Sequence, residues 1–244
     1  MKFLFPEKLA EGVIKSRPNR FIMVVEAEGR TMRCHCPSTG RIGSLRFKDI
    51  SCLLSKSRDA GRKTPYTVEA ISLDAPDARR KRWIGINPVA ANKYVEFFLT
   101  RGALAKMVKG GERARRERKL GKSRIDFAIG DKTYIEVKTL LMDLETEGHP
   151  QHRKTMPKFT SFQRLIKHFG ELSKALRHGS RAIVLLCYLY DAKPFKVPPP
   201  DKGTMKIQRA AQMAQKAGVE NWQIDLVVDG GGVTLSRYFP LRLF

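Results

Sequence analysis

Apolar and polar residues alternate along positions 125–129 and again along 133–138, with Gly130-Asp131-Lys132 between them. Period-two alternation on both sides of a three-residue turn predicts a tight β-hairpin. In that register Ile129 faces Thr133, Phe127 faces Ile135, and Asp126 falls opposite Glu136. Ile125, Phe127, Ile135 and Val137 then share one buried face, so the core sets the register. The other face carries Asp126 and Glu136, with Arg124 and Lys138 one step along.

Before the hairpin, the pattern is one of short strands cut by turn residues. Positions 21–27 and 31–36 flank Glu28-Gly29-Arg30 as a second hairpin. Cys52-Leu53-Leu54 forms another strand, and 66–73 alternates cleanly. Five or six short strands between 11 and 86 predict a small barrel of the OB type over residues 1–86. Residues 87–244 read differently. Asn87-Pro88 opens a helix, with Asn as N-cap and Pro at the first helical position. Ala91, Tyr94, Val95 and Phe98 form its apolar stripe. A helix is expected over 160–177, a central strand over 181–190, a helix over 205–217 ended by Gly218, and strands over 219–228 and 232–238. This order predicts a mixed α/β (α+β) second domain.

Charge changes the picture most. The 244 residues hold 47 Lys and Arg against 24 Asp and Glu, a formal net charge of +23. Such an excess points to a polyanionic partner. The longest uncharged apolar run, 182–190, has strand length only, far short of the roughly 18 residues of a membrane span. The apolar start of the chain is too short for a secretory signal, so a cytoplasmic location and no membrane partner are expected. Cys34-His35-Cys36 lacks the spacing of a zinc knuckle and has no second ligand pair. Its cysteines share one strand face and read as buried thiols.

Asp126 and Glu136 carry the candidate chemistry. Side chains directly opposed across a hairpin lie about 5 Å apart at Cβ, and like charges there repel. A divalent cation offsets that repulsion, and Mg2+ (or Mn2+) binds readily through one or two carboxylates. Alternatively the acids pair with Arg124 and Lys138 on a solvated face, an arrangement worth little energetically. Among the basic segments, Arg41, Arg62, Lys63 and the run Arg79-Arg80-Lys81-Arg82 sit in barrel loops. With Trp83 and Tyr66 they suit a groove that tracks a nucleic-acid backbone and stacks its bases. Arg115, Arg116 and Arg124 belong to the basic stretch entering the hairpin.

The chain resembles the sugar fermentation stimulation protein A family over nearly its whole length. The resemblance rests on Cys36-Pro37-Ser38-Thr39-Gly40, Lys63-Thr64-Pro65-Tyr66-Thr67 and Gly85-Ile86-Asn87 with Asn92 downstream. It rests most on Ser123-Arg124-Ile125-Asp126-Phe127 followed by Tyr134-Ile135-Glu136-Val137-Lys138. It implies an OB-like domain joined to a PD-(D/E)XK nuclease-like domain associated with DNA binding. Within that pattern Asp126 and Glu136 are metal ligands and Lys138 positions or activates water, with Glu96 or Glu117 as a further acid. In the helix that follows, Arg164, Lys167 and His168 match the family pattern and imply phosphate contacts. A threonine and a glycine of that pattern are replaced, and Leu189-Tyr190 stands where the family has a polar pair. The resemblance implies a DNA-binding protein with little sequence preference. A Mg2+-dependent DNA endonuclease is the alternative, and the OB-like barrel leaves RNA open as a partner. The oligomeric state is not legible.

Overall fold

The computed structural model describes residues 1–59, 61–109, 114–141, 144–153, 163–176, 179–201 and 204–244, the side chains at 163 and 164 excepted. In chain order the elements are β1 (Lys2–Leu4), β2 (Ala10–Asn19), β3 (Ile22–Ala27), β4 (Arg30–His35), β5 (Ile50–Lys56), β6 (Tyr66–Ser72) and β7 (Ile84–Gly85). Then come α1 (Pro88–Thr100), β8 (Ala114–Leu120), β9 (Ser123–Ile129), β10 (Thr133–Thr139), α2 (Gln163–Leu176), β11 (Arg181–Tyr188), α3 (Met205–Lys216), β12 (Glu220–Asp229) and β13 (Gly232–Leu241).

The first sheet runs β4-β3-β2-β5-β6-β7, and a β4–β6 pairing at His35 and Thr67 closes five of its strands into an OB-like barrel. The β3–β4 turn takes positive φ at Glu28 (50°) and Gly29 (71°). Two such residues in succession match the twist of the flanking strands. Ile14, Met23, Val25, Cys34, Cys52, Leu54 and Val68 fill the interior. Cys34 and Cys36 are buried free thiols, as expected, and burial pushes the Cys34 thiol up to about 11.

The second sheet runs β1-β13-β12-β11-β10-β9-β8, with β10, β11 and β12 parallel at its centre. Strand β11 is apolar on both faces because both are covered. Ile183, Leu185 and Cys187 meet the α1 side, while Ala182, Val184, Leu186 and Tyr188 meet α2 and α3. Helix α1 starts as its sequence demands, with the Asn87 side chain accepting from Ala90 N at 3.1 Å.

Three features depart from the sequence reading. β1 lies within the segment expected to form the barrel, yet it pairs with β13 at the edge of the other sheet. The Phe3 ring sets it there, 5.0 Å from Tyr94 and 5.3 Å from Phe97 of α1, centroid to centroid. β8 is an added strand, since its charged run hides the alternation and its pairing with β9 only shows in three dimensions. Trp83 is half-buried against the core shared with α1 and β12, so it packs on the core of the larger sheet and not inside the barrel.

The barrel and the larger sheet share apolar cores. Leu9, Leu53 and Ala70 belong to the same cluster as Phe98, Phe127 and Leu185, while Leu141 and Leu144 join the barrel interior. Gly85 sits where the two meet: its N–H donates to Leu189 O at 2.9 Å, and a Cβ there would stand 2.5 Å from Leu189 Cβ. Gly85→Ala is therefore expected to lower unfolding stability by about 1–3 kcal/mol, the usual cost of overpacking. Urea denaturation followed by tryptophan fluorescence reads this directly, and an unchanged midpoint would show that the seam has slack.

Candidate metal and nucleic-acid site

Strands β9 and β10 pair at Ile129 with Thr133, Ala128 with Tyr134 and Phe127 with Ile135, the register expected from the pattern. The ladder ends there. One step further, where Asp126 and Glu136 oppose, the strands part, and Asp126 Oδ2 instead accepts from the Val137 N–H at 2.8 Å. The other neighbour also departs from the ladder at this level. Between the pairs Arg116–Phe127 and Arg118–Ile125, Glu117 takes a φ of 49°. Asp126 thus sits at a local break on both sides of β9. The expected single buried face breaks there too, because Phe127 packs with the α1 core while Ile125 packs beneath α2.

Asn92, on α1, donates from Nδ2 to Asp126 Oδ1 at 2.8 Å. Both carboxylate oxygens are thereby held in place. The Asp126 carboxyl is nonetheless pushed above the usual carboxylate range, first by burial and then by the charge of Glu136. Glu136 is 1% exposed. Its Oε1 takes two partners, Lys138 Nζ and His168 Nδ1, while its Oε2 is buried with none. An unpartnered buried polar atom ordinarily costs about 1–3 kcal/mol, and more when charged. The acids, Lys138 and His168 therefore form one desolvated cluster with an uncompensated oxygen. Among the described residues no group of three or more His, Cys, Asp or Glu stands in a metal-binding arrangement.

His168 differs from its sequence expectation. It is 4% exposed and turned onto Glu136, so a direct contact with phosphate is closed to it. The reason is amphipathicity: Phe169 and Leu172 bury this side of α2, and His168 goes inward with them. Lys167 points outward and is exposed, whereas Arg164 lies outside the described side chains. Glu96 and Glu117 are engaged in ion pairs with Arg116 (3.8 Å) and Arg124 (3.5 Å).

The other basic residues divide. Lys81 meets Glu11 at 2.6 Å, Arg82 meets Asp74 at 3.0 Å, and Arg115 meets Asp131 at 2.6 Å. Lys63, Arg79 and Arg80 are exposed, with no ion pair among the described residues. Arg62 is half-buried in its loop, close enough to His35 to help lower that imidazole's pKa after burial. Arg41 lines a cavity on the barrel. In the sequence Asn92 stands out only as part of a motif. Its role becomes visible once α1 is laid beside β9, 34 residues further on.

Comparison with known proteins agrees with this architecture. The chain matches the SfsA N-terminal OB domain over residues 16–86 and the sugar fermentation stimulation protein RE domain over 89–232. A sugar fermentation stimulation protein homolog from Syntrophobacter fumaroxidans is 30% identical over 238 residues, 96% of this chain and 85% of that one. One from Pseudomonas putida is 31% identical over 245 residues, 98% of each chain. The solved structure of Pyrococcus furiosus SfsA in complex with Ca2+ superposes with a TM-score of 0.77, at 23% identity and with 100% of both chains covered. Two consecutive domain matches and full-length relatives at this identity lead to one conclusion: the chain belongs to the sugar fermentation stimulation protein family.

Proposed function

We propose that the protein binds DNA with little sequence preference and holds a divalent cation, Mg2+ or Mn2+, between Asp126 and Glu136. The observation that carries the metal reading is the buried Glu136 Oε2 without a partner, beside a second carboxylate whose charge is already disfavoured. The donor set fits: two carboxylates offer hard oxygen ligands, and an ion such as Mg2+ retains water in its other positions. The similar Pyrococcus furiosus structure is a complex with Ca2+, another oxygen-seeking cation. The DNA reading rests on the charge of +23 and on exposed cations such as Arg79, Arg80 and Lys167.

A second reading, phosphodiester hydrolysis, is favoured by Lys138. Its ammonium reaches Glu136 Oε1 from two residues along β10, which places a fixed proton donor and positive charge beside the acid pair. When bound, the cation would supply a lowered pKa for its water and stabilisation of charge on the leaving oxygen. Asn92 and the Val137 N–H orient Asp126, and His168 buttresses Glu136 from behind. Outer partners of this kind commonly govern affinity at ion sites.

Affinity for duplex DNA should fall steeply with salt, with a log–log slope near −5 for about six phosphate contacts. Fluorescence anisotropy over a salt series checks this, and salt-independent binding would contradict a phosphate-based partner.

Asp126→Asn should abolish Mn2+ binding in calorimetric titration and any nicking of supercoiled DNA. Lys138→Ala should retain the ion and lose the nicking. If the wild-type protein takes up no divalent ion even with DNA present, the metal reading fails and the acids are only partners of Lys138 and His168.

Asn92→Ala should leave the fold intact but weaken Mn2+ binding by roughly 10–100-fold, the usual consequence of freeing a ligand from its outer partner. An unchanged affinity would mean that the Val137 N–H alone orients Asp126.

A further inference from the structure

A cavity of about 390 Å3 opens on the barrel, and neither Asp126 nor Glu136 lines it. Six of its lining residues are cationic: Lys15, Arg17, Arg41, Arg46, Lys48 and Arg153. No lining residue is acidic. Lys15 has carboxylates nearby, Glu26 at 3.2 Å and Asp49 at 3.4 Å. The other five have no ion pair among the described residues.

The site is built in advance of any ligand. Arg17 Nη2 donates to Ser38 O at 2.7 Å and Gly40 O at 3.2 Å, and its guanidinium lies 5.3 Å from the Phe47 ring centroid. Arg153 comes from the segment after β10 and is tied to the barrel by backbone bonds. Arg153 N donates to Ser44 O and Arg46 N to Gln151 O, each at 2.7 Å. Most telling, the Nε of Arg41 is buried and has no hydrogen-bond partner, and the buried Nε of Arg17 has no oxygen acceptor, its guanidinium lying beside the Cys36 thiol. Buried donors without acceptors cost stability, and converging like charges add to it. An anion with several oxygens would offset the repulsion among these charges and offer acceptors to the guanidinium groups.

From this geometry we infer that the cavity binds a phosphomonoester, the terminal phosphate of a nucleic-acid strand. A monoester carries about −1.5 to −2 charges at neutral pH and three free oxygens, whereas an internal phosphodiester offers one charge and two. Forked guanidinium groups around one concavity match the first better, since they bind planar pairs of oxygens in bidentate fashion. A backbone in passage calls for an extended track of charges, and these converge. The inference rests on nucleic acid being the partner, as proposed above. It adds that strand ends are recognised by the barrel, through residues that the acid pair does not touch.

The test is anisotropy with labelled 20-mers bearing a 5′-phosphate, a 3′-phosphate or hydroxyl at both ends, using the full chain. One phosphorylated end should bind about tenfold tighter than the hydroxyl form, the effect of one or two charge-assisted hydrogen bonds. Arg41→Gln should erase that preference. So should the double variant Arg46→Ala with Arg153→Ala, whose exposed side chains can be removed with little risk to folding, as a melting curve verifies. Inorganic phosphate at millimolar concentration should compete away the advantage of the phosphorylated strand only. Equal binding of all three strands would overturn the end-recognition pocket and leave DNA binding standing. A preference that survives in both variants would overturn it as well. Arg41-dependent binding of adenosine monophosphate with no strand preference would assign the pocket to a free nucleotide and overturn the strand-end assignment. No binding of any strand at low salt would overturn this inference together with the DNA reading.

Discussion

Two-sided burial of β11 is the constraint on which the rest of the molecule depends. Residues 182–188 of this strand are all buried, and its parallel neighbours β10 and β12 are locked beside it. A buried strand must pair all of its backbone groups, so its neighbours cannot slip without exposing donors and acceptors to an apolar interior. β10 therefore holds a fixed height against β11, with Glu136 level with Val184 and Lys138 with Leu186. This places an ionisable side chain inside a dry wall. Glu136 is tolerated because Lys138 and His168 reach it, and its other oxygen remains uncompensated.

Against that rigid centre, the break at Asp126 has a physical sense. A continuous ladder would keep the Val137 N–H bonded to the backbone of β9. Parting the strands frees that donor for the Asp126 carboxylate and turns the side chain toward Asn92. The positive φ at Glu117 releases β8 at the same level, so the distortion is absorbed at the edge of the sheet, where it disturbs little packing. Local backbone irregularity of this kind is a common way to aim a side chain at a site.

The barrel is more than an appendage to this sheet. Its Leu53 and Ala70 complete the core over α1, and the segment carrying Leu141, Leu144 and Arg153 returns from β10 to close the barrel's own interior and rim. The close approach at Gly85 leaves no room for a side chain between the two parts. A chain with such an excess of positive charge repels itself when compact. Continuous apolar contact between the two parts opposes that repulsion, while the unpaired cations gather on surfaces facing solvent and in the arginine-lined cavity.

Much of this was legible in the chain before any coordinates. The hairpin register, with Asp126 and Glu136 at the same level, follows from period-two alternation around Gly130-Asp131-Lys132. The Asn87 cap and the uncharged run of β11 are equally local. The divided role of the basic runs was not legible, because whether Lys81 is free or bound depends on Glu11, 70 residues away in sequence, on β2. The same holds for β1, which finds its partner 232 residues along, at Thr234. It holds for Asn92 at Asp126, His168 at Glu136, and Arg153 beside Arg17 and Arg41. Sequence by itself determined most of the elements, β1 and β8 excepted, together with the Asn87 cap and the level of the two acids, since these rest on spacings of a few residues along one strand or helix. The tertiary structure alone decided which polar groups are buried without partners, because burial depends on what distant segments bring to cover them.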